Sequence, residues 1–396
     1  MNKVQIIQRD NSLNVIPYIN QHTKRDWVRW DTDNLYPQRA LELAVSSPLQ
    51  HSILENEISY ILGAGFSKTV ENIFSPNLTE GWDELFAKCV RDYVYLGCFA
   101  VQVIMNESGD KFSFYYQDAS QVRLGQYNDD NVITTAYLNS DWTTNNRRNI
   151  VEIPMWGSES PKKGQPYLMY FRTPQTGQYY YSTPSWMSAA NYVAADAELS
   201  RFFINYITNN FSANLAIKFP DEPTEEKKKE LYESLQASFG GTRNAGSILL
   251  LFGENGTLPE ISPIESVNAD MYNSVVDTIK MAIVSANRLT SPVLAGIGTS
   301  TGFSSKSDEL ISAAIQYRLT VIAPERSFIL RGFNDMLQMN GLPRVLSVED
   351  YNLAQEFEGT STGNKAKEAE GNEVDTSEEQ ITKDESAENN VEKAEE

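Results

Sequence analysis

Two cysteines and two histidines are all that 396 residues contain, and this scarcity removes several chemistries at once. Cys89 and Cys98 make too small a set for a disulfide framework and are expected to be buried free thiols. His22 and His51 fall in no H-E-x-x-H spacing, no zinc-spaced cysteines accompany them, and no G-x-S-x-G occurs. His51 lies in a helical pattern beside apolar positions and reads as structural. No apolar run approaches the roughly 18 residues of a membrane span; the stretch from Ile248 to Phe252 is strand-sized. The N-terminus lacks the apolar core and small-residue cleavage site of a signal peptide, so folding in a reducing cytoplasm is expected.

An excess of positive charge is also missing. The formal net charge is −20, and residues 356–396 supply half of it with 14 acidic and 4 basic side chains, leaving 39 acidic against 29 basic elsewhere. A protein that grips DNA draws most of its affinity from neutralising phosphates, so tight phosphate binding is excluded. Loose or repulsive contact is what this balance permits. Acidic pairs such as Asp221-Glu222 and Asp308-Glu309 stand at helix starts, where carboxylates complement the dipole. Hydrolysis or nuclease action through carboxylates would need a metal cluster, and the sequence offers none; no enzyme, metal or cofactor is expected.

What is present is a chain of patterned segments. Leu41, Ala44, Val45, Leu49, Ile53, Leu54, Ile58, Ile61 and Leu62 recur at three and four, which predicts an amphipathic helix or pair over 39–62 with Ser47-Pro48 as N-cap and first helical residue. Gly63-Ala64-Gly65 stops it. A second helix is predicted from Trp82 to Leu96, and Gly97-Cys98 leads into a hairpin, residues 100–105 and 112–116, turning at Asn106–Asp110. Short strands follow at 122–124, 132–138, 149–153 and 167–172. Residues 1–180 therefore read as an α+β domain, helices first and a mostly antiparallel sheet after.

Thr183 is expected to cap a long helix beginning at Pro184, because no Pro or Gly recurs until Pro220. Its first half is small (Ala189, Ala190, Ala194, Ala195, Ala197) and its second half bulky, from Phe202 to Ile207. A compact β-α-β-β insertion follows: strand 215–219, a helix from Thr224 to about Phe239, then strands 248–252 and 257–261. Lys227, Lys228 and Lys229 open the exposed side of its helix, either as a plain solvated start or as a contact for nucleic acid or an acidic partner. The returning helix carries Val267, Met271, Val275, Ile279 and Ile283 in one row and Asp270, Asn273, Asp277 and Lys280 in a polar row. A Gly-, Ser- and Thr-rich loop spans 290–305. Beyond it a helix over 308–339 should kink at Pro324, which cannot donate to the carbonyl four residues back. Residues 356–396 lack the apolar surface to offset ordering and read as disordered.

The order of these parts resembles the portal proteins of tailed bacteriophages, in particular the compact portals of long-tailed phages. The residues that carry the likeness are Asn34-Leu35-Tyr36-Pro37, Ser46 to His51, the Gly63–Gly65 stop, Leu96 to Val101 leading into Asn106–Gly109, Tyr181 to Ser185, Leu289 to Gly296, Asp308–Leu310 and Ile322–Pro324. They span roughly 25–345, and their order is more specific than any one of them. Ser182 departs from the Gly that relatives often carry there, which bears on where the helix starts. The resemblance implies a portal fold: a wing over 1–180, a first stem helix over 181–212, a clip over 213–263, a second stem helix over 264–289, a tunnel loop over 290–305, a kinked wing/crown helix over 306–355 and an acidic tail over 356–396. It implies a homo-oligomeric ring of twelve at one capsid vertex of a virion, assembled in the host cytoplasm and forming the channel for DNA packaging and ejection. Its implied partners are the large terminase, the head-tail adaptor, the major capsid or scaffolding protein and the double-stranded DNA in transit. No membrane is involved. Thr299, Ser300, Thr301, Ser304, Ser305 and Lys306 would be the DNA-facing groups of the loop, and hydroxyls suit a sliding duplex better than an arginine grip. Asp270, Asn273, Asp277 and Lys280 would line the channel, and Lys227 to Lys229 would meet the clip's partner. Another ring-forming head-tail connector or minor head protein is the alternative that the same features allow.

Overall fold

The computed structural model describes residues 16–19, 26–67, 74–144, 147–208, 215–219, 224, 226–227, 229–230, 248–252, 260–263, 269–297 and 307–351, with backbone alone at 147, 205–208, 215–219, 248–252, 260–263, 269–271 and 307–309. The expected helix over 39–62 is a pair, α1 (Tyr36–Ser46) and α2 (Pro48–Leu62). Ser47 makes the break: its backbone is extended and its Oγ accepts from the Gln50 amide at 3.1 Å, which satisfies one orphan donor of the new helix while Pro48 presets its first φ. At the far end of α2, Gly63 takes φ +53°, and a Cβ there would lie 2.4 Å from the Glu349 carbonyl oxygen. Only glycine fits that crossing.

Helix α3 (Trp82–Leu96) ends on Gly97 in the left-handed region and hands the chain to β1 (Cys98–Met105). β1 pairs antiparallel with β2 (Phe112–Gln117) on one side and β6 (Pro166–Arg172) on the other; β3 (Val122–Leu124), β4 (Thr135–Leu138) and β5 (Val151–Pro154) form a second antiparallel sheet. The β1–β2 turn closes on Asn106, whose Oδ1 accepts the amides of Gly109 and Asp110, the Asx chemistry that made it legible as a turn. Cys89 and Cys98 are buried free thiols.

The core lies between α3, the first sheet and a late helix, α7 (Ala323–Met339). Phe86, Phe99 and Phe333 are at most 2% exposed and stack edge or face with Trp82, Phe171 and Phe328; each is worth about 1.5–3 kcal/mol by burial. A second focus is Arg123, fully buried, which donates to the Asn34 side chain and to the carbonyls of Asn34, Ser120 and Val122, and lies over the rings of Trp30 and Trp142.

The expected long helix starts differently from its sequence signal. Thr183 caps nothing: its amide donates to Gln175 Oε1 and its hydroxyl bonds the Gln178 side chain. The chain instead makes a 3-10 turn over Ser185–Ala189 before α4 (Ala190–Thr208). Ser182 is fully buried and donates to the Gly97 carbonyl at 2.7 Å. In the insertion, β7 (Leu215–Phe219) pairs parallel with β8 (Ile248–Phe252) and antiparallel with β9 (Glu260–Pro263), so the third strand continues past the expected end at 261, while 257–259 lie outside the described residues. Parallel pairing needs a crossover, in keeping with the expected helix between; helical backbone is seen at 226–227 and 229–230, and the rest of 220–247 lies outside the described residues apart from Thr224.

The returning helix is α5, described over Ala269–Ala286, with 287–289 of the expected 264–289 forming its cap and 264–268 outside the described residues. Leu289 donates to the Val284 carbonyl and Arg288 to Ser285, a Schellman end in which the left-handed position, φ +57°, is held by Arg288 where glycine is usual. After it come α6 (Ser307–Tyr317), a π-turn over Arg318–Ile322, and α7. The irregularity expected at Pro324 is thus this π-turn, which ends two residues before the proline, within one continuous helical run. The expected disordered tail, 356–396, lies outside the described residues.

Candidate functional site

The residues expected to face DNA, Thr299, Ser300, Thr301, Ser304, Ser305 and Lys306, all lie outside the described residues, as does Lys228. Lys227 and Lys229 are exposed on helical backbone. On α5, Asn273 and Asp277 are exposed and Lys280 half-buried, while Asp270 is known only as helical backbone. The apolar row on the same helix divides. Ile283 is fully buried and Ile279 nearly so, yet Val275 is 45% exposed.

The first root of the loop is tied down; its far end, 298–306, lies outside the described residues. The Thr290 hydroxyl donates to the Ala313 carbonyl on α6 at 2.7 Å. Ser291 caps a 3-10 turn over Pro292–Ala295, and Asn56 on α2 donates to the Leu294 carbonyl at 3.1 Å. Helix α2 is in fact a hub. Its cap Ser47 donates to Asp196 on α4 at 2.6 Å; Gln50 and Asn287 exchange amide hydrogen bonds of 3.0 and 2.8 Å at the end of α5. Its last carbonyls, Tyr60 and Ile61, accept from Arg326 on α7, which also pairs with Asp350. A cation there complements the negative end of the helix.

Midway along α2, Glu57 is 5% exposed and is close enough to the Glu325 carboxyl of α7 for the two to influence each other. Burial first, and then the neighbouring carboxyl, push Glu57 well above the usual carboxylate range; burial also raises Glu325. Arg288 opposes both shifts. Its guanidinium donates to the Thr320 carbonyl at 3.3 Å, the carbonyl four residues before Pro324 that the proline cannot serve. The Tyr317 hydroxyl, in the same cluster, is buried with no hydrogen-bond partner among the described residues. Sequence reading missed this pair, because Glu57 sits one place before Ile58 in an otherwise ordinary helical pattern. Its only signal was the carboxyl on the buried side of that pattern. His51, in contrast, has the structural part expected of it, bonding the Tyr95 hydroxyl beside the Glu55–Arg91 pair.

The outer part of the α4–α5 pair carries partly exposed apolar side chains. Phe202, Phe203 and Ile204 are 43–64% exposed and Met281 is 49% exposed, although Phe202 and Phe203 both touch the Tyr272 ring. A groove of about 610 Å³ between 16–19 and 177–180 is lined by Tyr18, Tyr179 and Tyr180 and, among the described residues, by no charged side chain. Among the described residues, no group of three or more His, Cys, Asp or Glu could hold a metal ion, and no helix is long and apolar enough to cross a membrane.

No protein-family model matches the chain, and no curated protein matches it in sequence. Its fold has counterparts among solved structures. A chain of the virion of a native gene transfer agent particle superposes with a TM-score of 0.55 at 16% identity, covering 89% of this chain and 91% of its own. A chain from the neck of the native particle, computed with C12 symmetry, gives 0.52 at 15% identity over 83% of this chain and 89% of its own. An HK97-family phage portal protein from Corynebacterium diphtheriae overlaps at 0.42 and 13% identity over 70% and 89%, too loosely to argue from. At these identities the likeness is one of fold.

Proposed function

We propose that this chain is a portal subunit: copies of it form a ring at one capsid vertex through which DNA is packaged and ejected, a structural rather than catalytic role. The observation that carries the reading is the fold shared with a virion chain over about nine-tenths of both lengths, with the C12 symmetry of the related neck suggesting twelve copies. The order of motifs in the sequence supports it independently. The exposed apolar side chains of α4 and α5 have an occupant in this reading, since a ring sets each stem pair against its neighbours'. Residues 1–180 then form the wing, the α4–α5 pair the stem, and 213–263 the clip that meets the large terminase and later the head-tail adaptor. Residues 290–305 form the tunnel loop, rooted on α2 and α6, and Asp270, Asn273, Asp277 and Lys280 face the channel. The acidic balance keeps a passing duplex from sticking.

Electron microscopy of the purified full-length chain tests this: twelvefold rings with an axial channel are expected, and a persistent monomer would refute it. Two neck structures among the fold's counterparts keep a second reading alive, a head-tail connector. Binding of the large terminase to the assembled ring supports the portal; rings that bind only tail-side proteins support the connector.

A further inference from the structure

Helix α7 packs Ile329, Phe333 and Met336 into the core, and its other side borders a cavity of about 360 Å³ closed by the chain around Arg344. Arg326, Arg331 and Arg344 line that cavity together with Ser327 and Asn334, and among the described residues no acidic side chain does. Arg318 comes within 3.7 Å of Asp350 close by. The neighbourhood thus sets four guanidinium groups against three carboxyl groups, Asp335, Glu349 and Asp350, in a chain whose formal charge is −20. We propose that this pocket is a carboxylate-binding site and that its occupant is the acidic run 368–379 of the same chain's tail. The inference does not depend on ring formation.

The pocket is held in shape by its own bonds. Asn334 fastens the chain to α7: its Nδ2 donates to the Leu346 carbonyl at 3.2 Å and its Oδ1 accepts the Leu346 amide at 3.0 Å. Arg326 is committed to the carbonyls of Tyr60 and Ile61 and to Asp350, so it supplies charge rather than free donors. Arg344 spends Nε on Gln338 and one Nη on Asp335. Arg331 spends nothing. It is exposed and, among the described residues, has no hydrogen-bond or ion-pair partner, which leaves its planar donor fork open to a carboxylate. The exposed Ser327, one turn earlier on α7, adds a hydroxyl.

The course of the chain argues for the occupant. Leu346 lines the cavity and Asp350 pairs with Arg326, so the chain leaves the described residues at Tyr351 beside the pocket, with 352–396 still to come. Within that stretch, 368–379 carries Glu368, Glu370, Glu373, Asp375, Glu378 and Glu379 and no basic side chain. Taken as a coil, 352–367 would span roughly 20 Å, enough to return to a pocket that begins next to Asp350. Tethering of this kind gives an effective concentration in the millimolar range, at which exposed ion pairs that are weak one at a time act together. A free duplex has no such tether and must approach a net acidic body.

A spin label on the full chain at Ala369→Cys reads the contact, because Cys89 and Cys98 are buried and escape labelling. At low salt the label should show an immobilised fraction, and about 0.5 M salt should free it by screening. Arg331→Glu, which removes one charge-assisted pair and adds a repulsion, should move the bound-to-free ratio about tenfold toward free, while Arg331→Lys should keep most of the bound fraction. Arg331 is exposed, so neither variant is expected to unfold the chain, and equal urea midpoints check that. Equal spectra from the wild type and Arg331→Glu, whether both mobile or both immobilised, would overturn the proposal. Two further arms decide the occupant. When labelled Arg331→Glu chains are mixed with unlabelled wild type, the labelled tail should stay free; its recapture would place the contact in a neighbouring copy and overturn the assignment to the same chain. Titration with a short DNA duplex should leave the wild-type label bound, whereas release at micromolar duplex would give the pocket to nucleic-acid phosphates and overturn the assignment to the tail.

Discussion

Helix α2 and the outer half of the α4–α5 pair are both amphipathic by sequence, yet they meet opposite fates. On α2, Ile53, Leu54, Ile58 and Ile61 are at most 3% exposed, whereas Phe202, Phe203 and Ile204 of α4 and Val275 of α5 are 43–64% exposed. The difference lies in what surrounds them. α2 is enclosed by α3, α4, α5 and α7 of its own chain, while among the described residues the outer part of the α4–α5 pair packs mainly on itself. Periodicity says which face of a helix shuns water. It does not say whose atoms will cover that face.

The contrast can be broken most forcefully on the body side. Arg123→Met leaves the acceptors of Asn34, Ser120 and Val122 buried and unserved, and it should cost about 3–5 kcal/mol, read as a lower urea midpoint. A loss under about 1 kcal/mol would mean that this buried cation is dispensable and the body less tightly specified than its contacts indicate. The joint between body and stem comes next. Asn287→Leu strands the Gln50 amide and should cost about 2 kcal/mol, while Gln50→Leu with Asn287→Leu recovers part of it, giving a coupling of about 1 kcal/mol in a double-mutant cycle. Strict additivity would show that the two amides act separately. The smallest effect on folding belongs to the stem. Ile204→Ser should leave subunit stability within about 0.5 kcal/mol of wild type, yet lower ring yield at equal concentration by sedimentation velocity. A large folding loss would show instead that this face is covered within the chain.

Local signals were read well where one residue decides the outcome. Ser47-Pro48 broke the first helical run, Gly63 ended it, Asn106 made the hairpin turn, and the apolar runs at 215–219 and 248–252 located β7 and β8. The readings that failed were settled by partners distant in sequence. Thr183 looked like a cap until Gln175 and Gln178 engaged its amide and hydroxyl. Pro324 gave a bend signal, but the π-turn that absorbs it is completed by Arg288, brought in by another helix. Nothing near Glu57 in sequence announces Glu325. Of the candidate site, the helix that carries the row on α5 and the start of the loop were legible in advance, whereas the joints that hold them depend on tertiary pairing alone.

Those joints also bear on how the chain tolerates length changes. α2 has 15 residues, and Ser47, Gln50, Asn56 and the carbonyls of Tyr60 and Ile61 each answer to a different element around it. A helix turns about 100° per residue. One residue inserted after Ile53 would leave Ser47 and Gln50 engaged but swing Asn56 away from the loop root and the final carbonyls from Arg326. Insertions could accumulate in the turns of the two sheets, but α2 works as a ruler whose divisions cannot be respaced.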